Sequence, residues 1–149
     1  MQNDKYSFSF DTDLINFRFD SVGTKGVIPK LVMYQKIDED PDVYNLAFGD
    51  LDENTNDIDD TIITNNGDSE KVLVTVASTV LVFTHKYPDA WIVLEGSSKS
   101  RTRLYQMGIS KYLEEIKNDF NVFGLIGKDW FIFEKNQRYE AFLIHKKHI

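Results

Sequence analysis

Between residues 97 and 105 the chain gathers four hydroxyl and three cationic side chains almost without interruption: Ser97, Ser98, Lys99, Ser100, Arg101, Thr102 and Arg103, then Tyr105. Hydroxyls donate to phosphate oxygens, lysine and arginine supply charge, and an aromatic ring can stack on a base. The chemistry such a set can do is to hold an anion: the phosphate of a small molecule, or a nucleic-acid backbone with Tyr105 stacked on a base.

The flanking residues say what must position this set. Trp91-Ile92-Val93-Leu94 is a short unbroken apolar run of the kind a buried strand makes, and Tyr105, Ile109, Tyr112, Leu113 and Ile116 recur at helical spacing. A serine-rich, basic turn beginning at Gly96 therefore joins a core strand to a helix N-terminus, where free backbone N–H groups and the positive dipole end favour anions. If the helix begins near Ser98 or Ser100, Arg101 and Arg103 fall in its first turn, where the dipole disfavours positive charge. Either an incoming anion offsets that conflict or an internal ion pair with the acidic loop does.

The rest of the chain reads as α+β. Tyr6–Phe10 and Phe17–Phe19 alternate with period two and read as strands. Val27–Ile37 reads as a third strand, which Pro29 assigns to a sheet edge, and Val43–Phe48 as a fourth. Asp50 to Asp68 reads as a solvated acidic loop, of which Asp50 to Asp60 is expected to be mobile and dispensable for folding. Asp68-Ser69-Glu70 supplies an N-cap and first-turn acids for a largely buried helix running to about Pro88. Asn121–Ile126 resumes strand character, and Trp130–Phe133 with Tyr139–Ile144 is expected to form a hairpin around Asn136-Gln137. If strands 91–95 and 122–126 share a sheet, the helix between them is a crossover and the strands run parallel. The expected fold is a single α+β domain over residues 1–149: a mostly antiparallel sheet, with an N-terminal meander and a C-terminal hairpin, packed against two helices, with one β-α-β crossover at 91–126.

Composition bounds the function. At 149 residues the chain is long enough for one core without metal or disulfide support, and with no cysteine it has no thiolate metal site and no cysteine nucleophile. No signal peptide or membrane-spanning run is visible, which fits a reducing cytoplasm. The net charge of −7 is uneven, because residues 38–70 hold twelve acids and no base while residues 71–149 hold twelve bases and eight acids. The field around Lys99 to Arg103 is thus expected to be locally positive. Asp50, Asp52 and Asn54 have the alternate spacing of a calcium loop, but Thr55 stands where a glycine is needed and Thr61 where a glutamate is needed, so no metal site is assigned. No phosphate loop, dinucleotide fingerprint, nucleophile elbow or His-Glu-x-x-His motif is present, and His85, His145 and His148 sit in no suggestive context. No cofactor is implied.

The block from about Val43 to Glu115, above all Gly96-Ser97-Ser98-Lys99-Ser100-Arg101-Thr102-Arg103-Leu104-Tyr105-Gln106-Met107, resembles a family of small uncharacterised bacterial proteins described only as a domain of unknown function. The resemblance covers about half the chain and implies a bacterial cytoplasmic origin; it brings no activity, cofactor or catalytic residue. Three readings follow. The first is a phosphate or nucleic-acid binding module using residues 96–105. The second is a protein-interaction module of a bacterial two-protein pair, such as a toxin–antitoxin system. The third is an enzyme acting on a phosphorylated small molecule held at the turn.

Overall fold

The computed structural model describes residues 4–59 and 65–148. Its strands are β1 (Ser9–Phe10), β2 (Asn16–Gly23), β3 (Gly26–Asp38), β4 (Val43–Asp52), β5 (Asp57–Ile58), β6 (Trp91–Leu94), β7 (Phe120–Ile126), β8 (Asp129–Ile132) and β9 (Phe142–Lys146); its helices are α1 (Ser69–Lys86), α2 (Lys99–Lys111) and α3 (Leu113–Asp119). The architecture is α+β, with a mostly antiparallel sheet of nine strands in hydrogen-bonded order β1-β2-β3-β4-β6-β9-β7-β8 and β5 paired to β4 off this path. Two compact units divide the chain, Met1–Tyr34 with Ala47–Lys86 and Gln35–Leu46 with Tyr87–Ile149.

In the first unit, β2 and β3 form a hairpin in register from Asn16↔Met33 to Gly23↔Gly26. Phe17, Phe19 and Ser21 are buried while Arg18, Asp20 and Val22 between them are exposed, the period-two alternation read from the sequence. Pro29 does not mark an edge: β3 runs between β2 and β4. One forfeited ladder bond costs about 1 kcal/mol net, and burial of Leu31, Val32 and Tyr34 on the same strand outweighs it.

Helix α1 forms where expected despite its β-branched residues, because burial overrides propensity. The Tyr34 ring stacks on Phe83 with centroids 4.0 Å apart, and its hydroxyl lies 2.8 Å from Thr79 Oγ1. The hydroxyls of Thr75, Ser78, Thr79 and Thr84 donate back to carbonyls of the preceding turn, which lets a polar-flecked helix be buried without orphaned groups. Asp68 was expected to cap this helix, but its carboxylate accepts from Ser21 Oγ at 2.5 Å and from the Tyr6 hydroxyl at 2.6 Å instead. Burial first, and then that carboxylate, hold the Tyr6 hydroxyl above its ordinary pKa. Asn66, 1% exposed, donates to Gly26 O and Ser21 Oγ and accepts from Lys25 N, plugging the β2–β3 turn.

The acidic stretch is not the solvated loop its composition suggests. β4 continues through Asp52, β5 folds back on it with Leu51↔Ile58 paired, and the buried Asp50 carboxylate is ion-paired to the buried Lys30 ammonium. Asp60, the end of the segment expected to be dispensable, lies outside the described residues.

In the second unit, Val43–Leu46 of β4 pairs in parallel with β6, β6 pairs antiparallel with β9, and β9 antiparallel with β7. β6 and β7 therefore run parallel, as a crossover requires, with β9 inserted between them. The C-terminal hairpin is formed by β7 and β8 around Gly127-Lys128, with Gly127 at φ 62°, and β9 lies on the far side of β7. Period-two patterning locates strands but not their neighbours, so the expected pairing of 130–133 with 139–144 is replaced by this order. Residues 133–141 return the chain past β7, where the Tyr139 ring occupies the space that a Cβ on Gly124 would fill, 2.2 Å from its nearest atom. The single helix expected after the turn is broken at Tyr112, whose N–H donates to Gly108 O, giving α2 and α3.

Candidate anion site at the 96–103 turn

Ser98 is the N-cap of α2, with extended backbone at φ −147° and ψ 165°, and its Oγ accepts from Arg101 N at 3.3 Å. The buried Thr102 hydroxyl donates to Ser98 O at 3.1 Å and accepts from Gly96 N at 3.1 Å, bracing the turn across its mouth. A Cβ on Gly96 would lie 2.4 Å from Thr102 N, so only glycine permits this close return. The turn is thus built by its own hydroxyls.

Two of the eight sequence-assigned side chains face inward. Tyr105 is 5% exposed, on the same buried stripe as Thr102 and Ile109, which leaves almost none of its ring open to a stacking partner. The helical period that flagged it as part of the motif is also the period of the buried face. Burial raises its hydroxyl pKa, and the Arg101 guanidinium, which donates to that hydroxyl, draws it part of the way back. Arg101 is half-buried accordingly, whereas Ser97, Lys99, Ser100 and Arg103 are exposed. Ser98 is exposed too, with its oxygen engaged in the cap.

The first turn of α2 carries no acidic residue. With the helix starting at Lys99, that residue and Arg101 lie in the first turn and Arg103 just beyond it. Among the described residues, no ion pair is formed by Lys99, Arg101 or Arg103. Lys99 and Arg103, both exposed, and half-buried Arg101 thus gather positive charge at the helix end whose dipole disfavours it.

A family model describing a family of unknown function, DUF6934, matches residues 2–147. The chain belongs to that family. No curated protein and no solved structure matches it.

In this DUF6934 chain two further features lacked any signal in sequence spacing. Gln106, two turns into α2, donates to Gln137 O and accepts from Tyr139 N at 3.2 Å, anchoring the helix to the 133–141 segment. His145 stacks on Trp91 with centroids 4.0 Å apart and faces His148, whose Nε2 is 3.1 Å from Asp89 Oδ1. Their partners are distant in sequence and meet only through the β6–β9 register, Trp91↔His145. Among the described residues no group of three or more His, Asp or Glu side chains is placed to hold a metal ion, and no helix is long and apolar enough to cross a membrane.

Proposed function

We propose that the chain is a phosphate-binding module that holds a phosphate group at the N-terminus of α2. The observation that carries the reading is the uncompensated charge: Lys99, Arg101 and Arg103 with no first-turn acid and no ion pair among the described residues. Ser97 and Ser100 offer exposed hydroxyl donors beside them. With Tyr105 buried under the helix, the site contacts phosphate and does not read bases, so its binding of nucleic acid is indifferent to sequence. The lack of cysteine fits a reducing compartment.

Retention of the purified chain on single-stranded nucleic acid and on a phosphate polymer, measured across a salt series, tests this. Weak, salt-sensitive retention is expected, with Lys99→Ala and Arg103→Ala each lowering the salt slope by about 0.7 if each contacts one phosphate of a single strand. No retention at low salt, or a slope that neither substitution changes, overturns the reading.

A further inference from the structure

We propose that strand β8 is a dimerisation edge that pairs with β8 of a second copy of this chain. β8 ends the sheet order, with β7 as its one strand neighbour, and all four of its residues, Asp129-Trp130-Phe131-Ile132, are exposed. Trp130 is 39% exposed, Phe131 49% and Ile132 75%. Edge strands ordinarily carry charges or bulges that deter pairing; here three successive large apolar side chains stand on an open edge.

The backbone fixes which groups are available. Phe133 N donates to Val122 O at 2.9 Å, in line with the β7–β8 register Phe123↔Ile132 and Gly124↔Phe131. In an antiparallel ladder the direction of the peptide groups alternates, so Phe133, Phe131 and Asp129 address β7 while the N–H and C=O of Trp130 and Ile132 point away from it. A second strand added by two-fold symmetry must pair outward-facing residues with outward-facing residues. The register centred on Phe131 does so: Trp130 lies opposite the copy's Ile132 in both directions, each pair exchanging two backbone hydrogen bonds, and the two Phe131 rings meet on the other face.

The same register selects the partner by charge. Lys128 and Glu134 flank Phe131 three residues to either side, both exposed and neither in an ion pair among the described residues. Centred pairing sets Lys128 of each chain opposite Glu134 of the other, twice per dimer, an arrangement that stabilises cross-strand neighbours. Shifting the centre by one residue either way breaks both charge pairs and leaves Trp130, Phe131 and Ile132 a single pairing among themselves in place of three. The apolar surface still open on Trp130, Phe131 and Ile132 is on the order of 300 Å² per chain. Half-exposed Phe123, Leu125 and Leu143 extend one face of it. This is below the roughly 800 Å² per partner of a standard interface, so the dimer is a small, concentration-dependent one.

Sedimentation equilibrium across a concentration series, with charge-swapped variants, tests the proposal. Wild type is expected to approach twice the mass of one chain. Lys128→Glu alone and Glu134→Lys alone set like charges opposite each other and are each expected to weaken self-association about tenfold. An equimolar mixture of the two variants restores both opposite-charge pairs and is expected to dimerise as wild type does. Ile132→Pro, which removes an outward N–H and no β7 bond, is expected to give a folded monomer. A wild type that stays monomeric at every concentration overturns the proposal, even if β8 captures an extended peptide. Dimers that are indifferent to both charge reversals overturn it as well.

Discussion

Arg101 lies half-buried with its guanidinium on the Tyr105 hydroxyl, while Arg103, two positions along the same helix, is exposed and bonded to nothing among the described residues. The difference decides which substitutions are informative, since replacing Arg101 disturbs a packed tyrosine as well as the charge. A histidine at the opposite end of β6 gives a cleaner titration. Burial, and then the neighbouring His148, hold the His145 pKa below its ordinary 6.5. A histidine so depressed binds its proton less readily in the folded chain than in the unfolded one, so stability rises with pH wherever only the unfolded form is protonated. Its contribution is complete above about pH 6.5 and is lost as pH falls through the lowered folded value. His145→Phe, which keeps a ring against Trp91, is expected to remove that part of the slope between pH 7 and 5. Denaturant titrations of both forms check it; equal slopes would show that His145 titrates alike folded and unfolded.

The paired strands explain why composition misjudged the acidic stretch. Alternating apolar residues made β2, β3 and the start of β4 readable, and helical spacing over a run too long for a usual strand did the same for α1. Asp50 and Lys30 carry no such signal. They are buried side by side because β4 runs on beyond Gly49. Asp50→Ala withdraws a carboxylate from beside a buried ammonium and is expected to cost about 3–5 kcal/mol, far more than a solvated loop residue would. A urea midpoint unchanged by this substitution would return the segment to the status of a tolerant loop. Strand neighbours were beyond reach for a related reason: β9 enters between β6 and β7 through contacts some fifty residues apart along the chain, which no local period encodes. The turn at 96–103 was readable as strand, cap and helix because each part is local. The inward turn of Tyr105 was signalled as well, since it shares the helical stripe of Ile109 and Leu113, but its place beside the basic residues suggested base stacking instead.

Taken as a whole, the chain carries a net charge of −7, yet all three cations of the turn belong to its basic C-terminal half. A negative total weakens long-range attraction to polyanions and leaves a short-range receptor for a phosphate group intact, because screening confines the field to about 8–10 Å at physiological salt. The most direct measurement is chemical denaturation of wild type and of a Lys99→Ala/Arg103→Ala double variant in phosphate-free, low-salt buffer, repeated with added inorganic phosphate. Both residues are exposed, so the substitutions remove charge near a helix N-terminus without opening the core. Without phosphate the double variant should be as stable as wild type or slightly more so, by a gain of at most about 1 kcal/mol per cation. With phosphate, wild type alone should gain stability, following the logarithm of ligand concentration above the Kd. A loss of several kcal/mol in the phosphate-free variant, or an equal gain from phosphate in both proteins, would contradict binding at this turn.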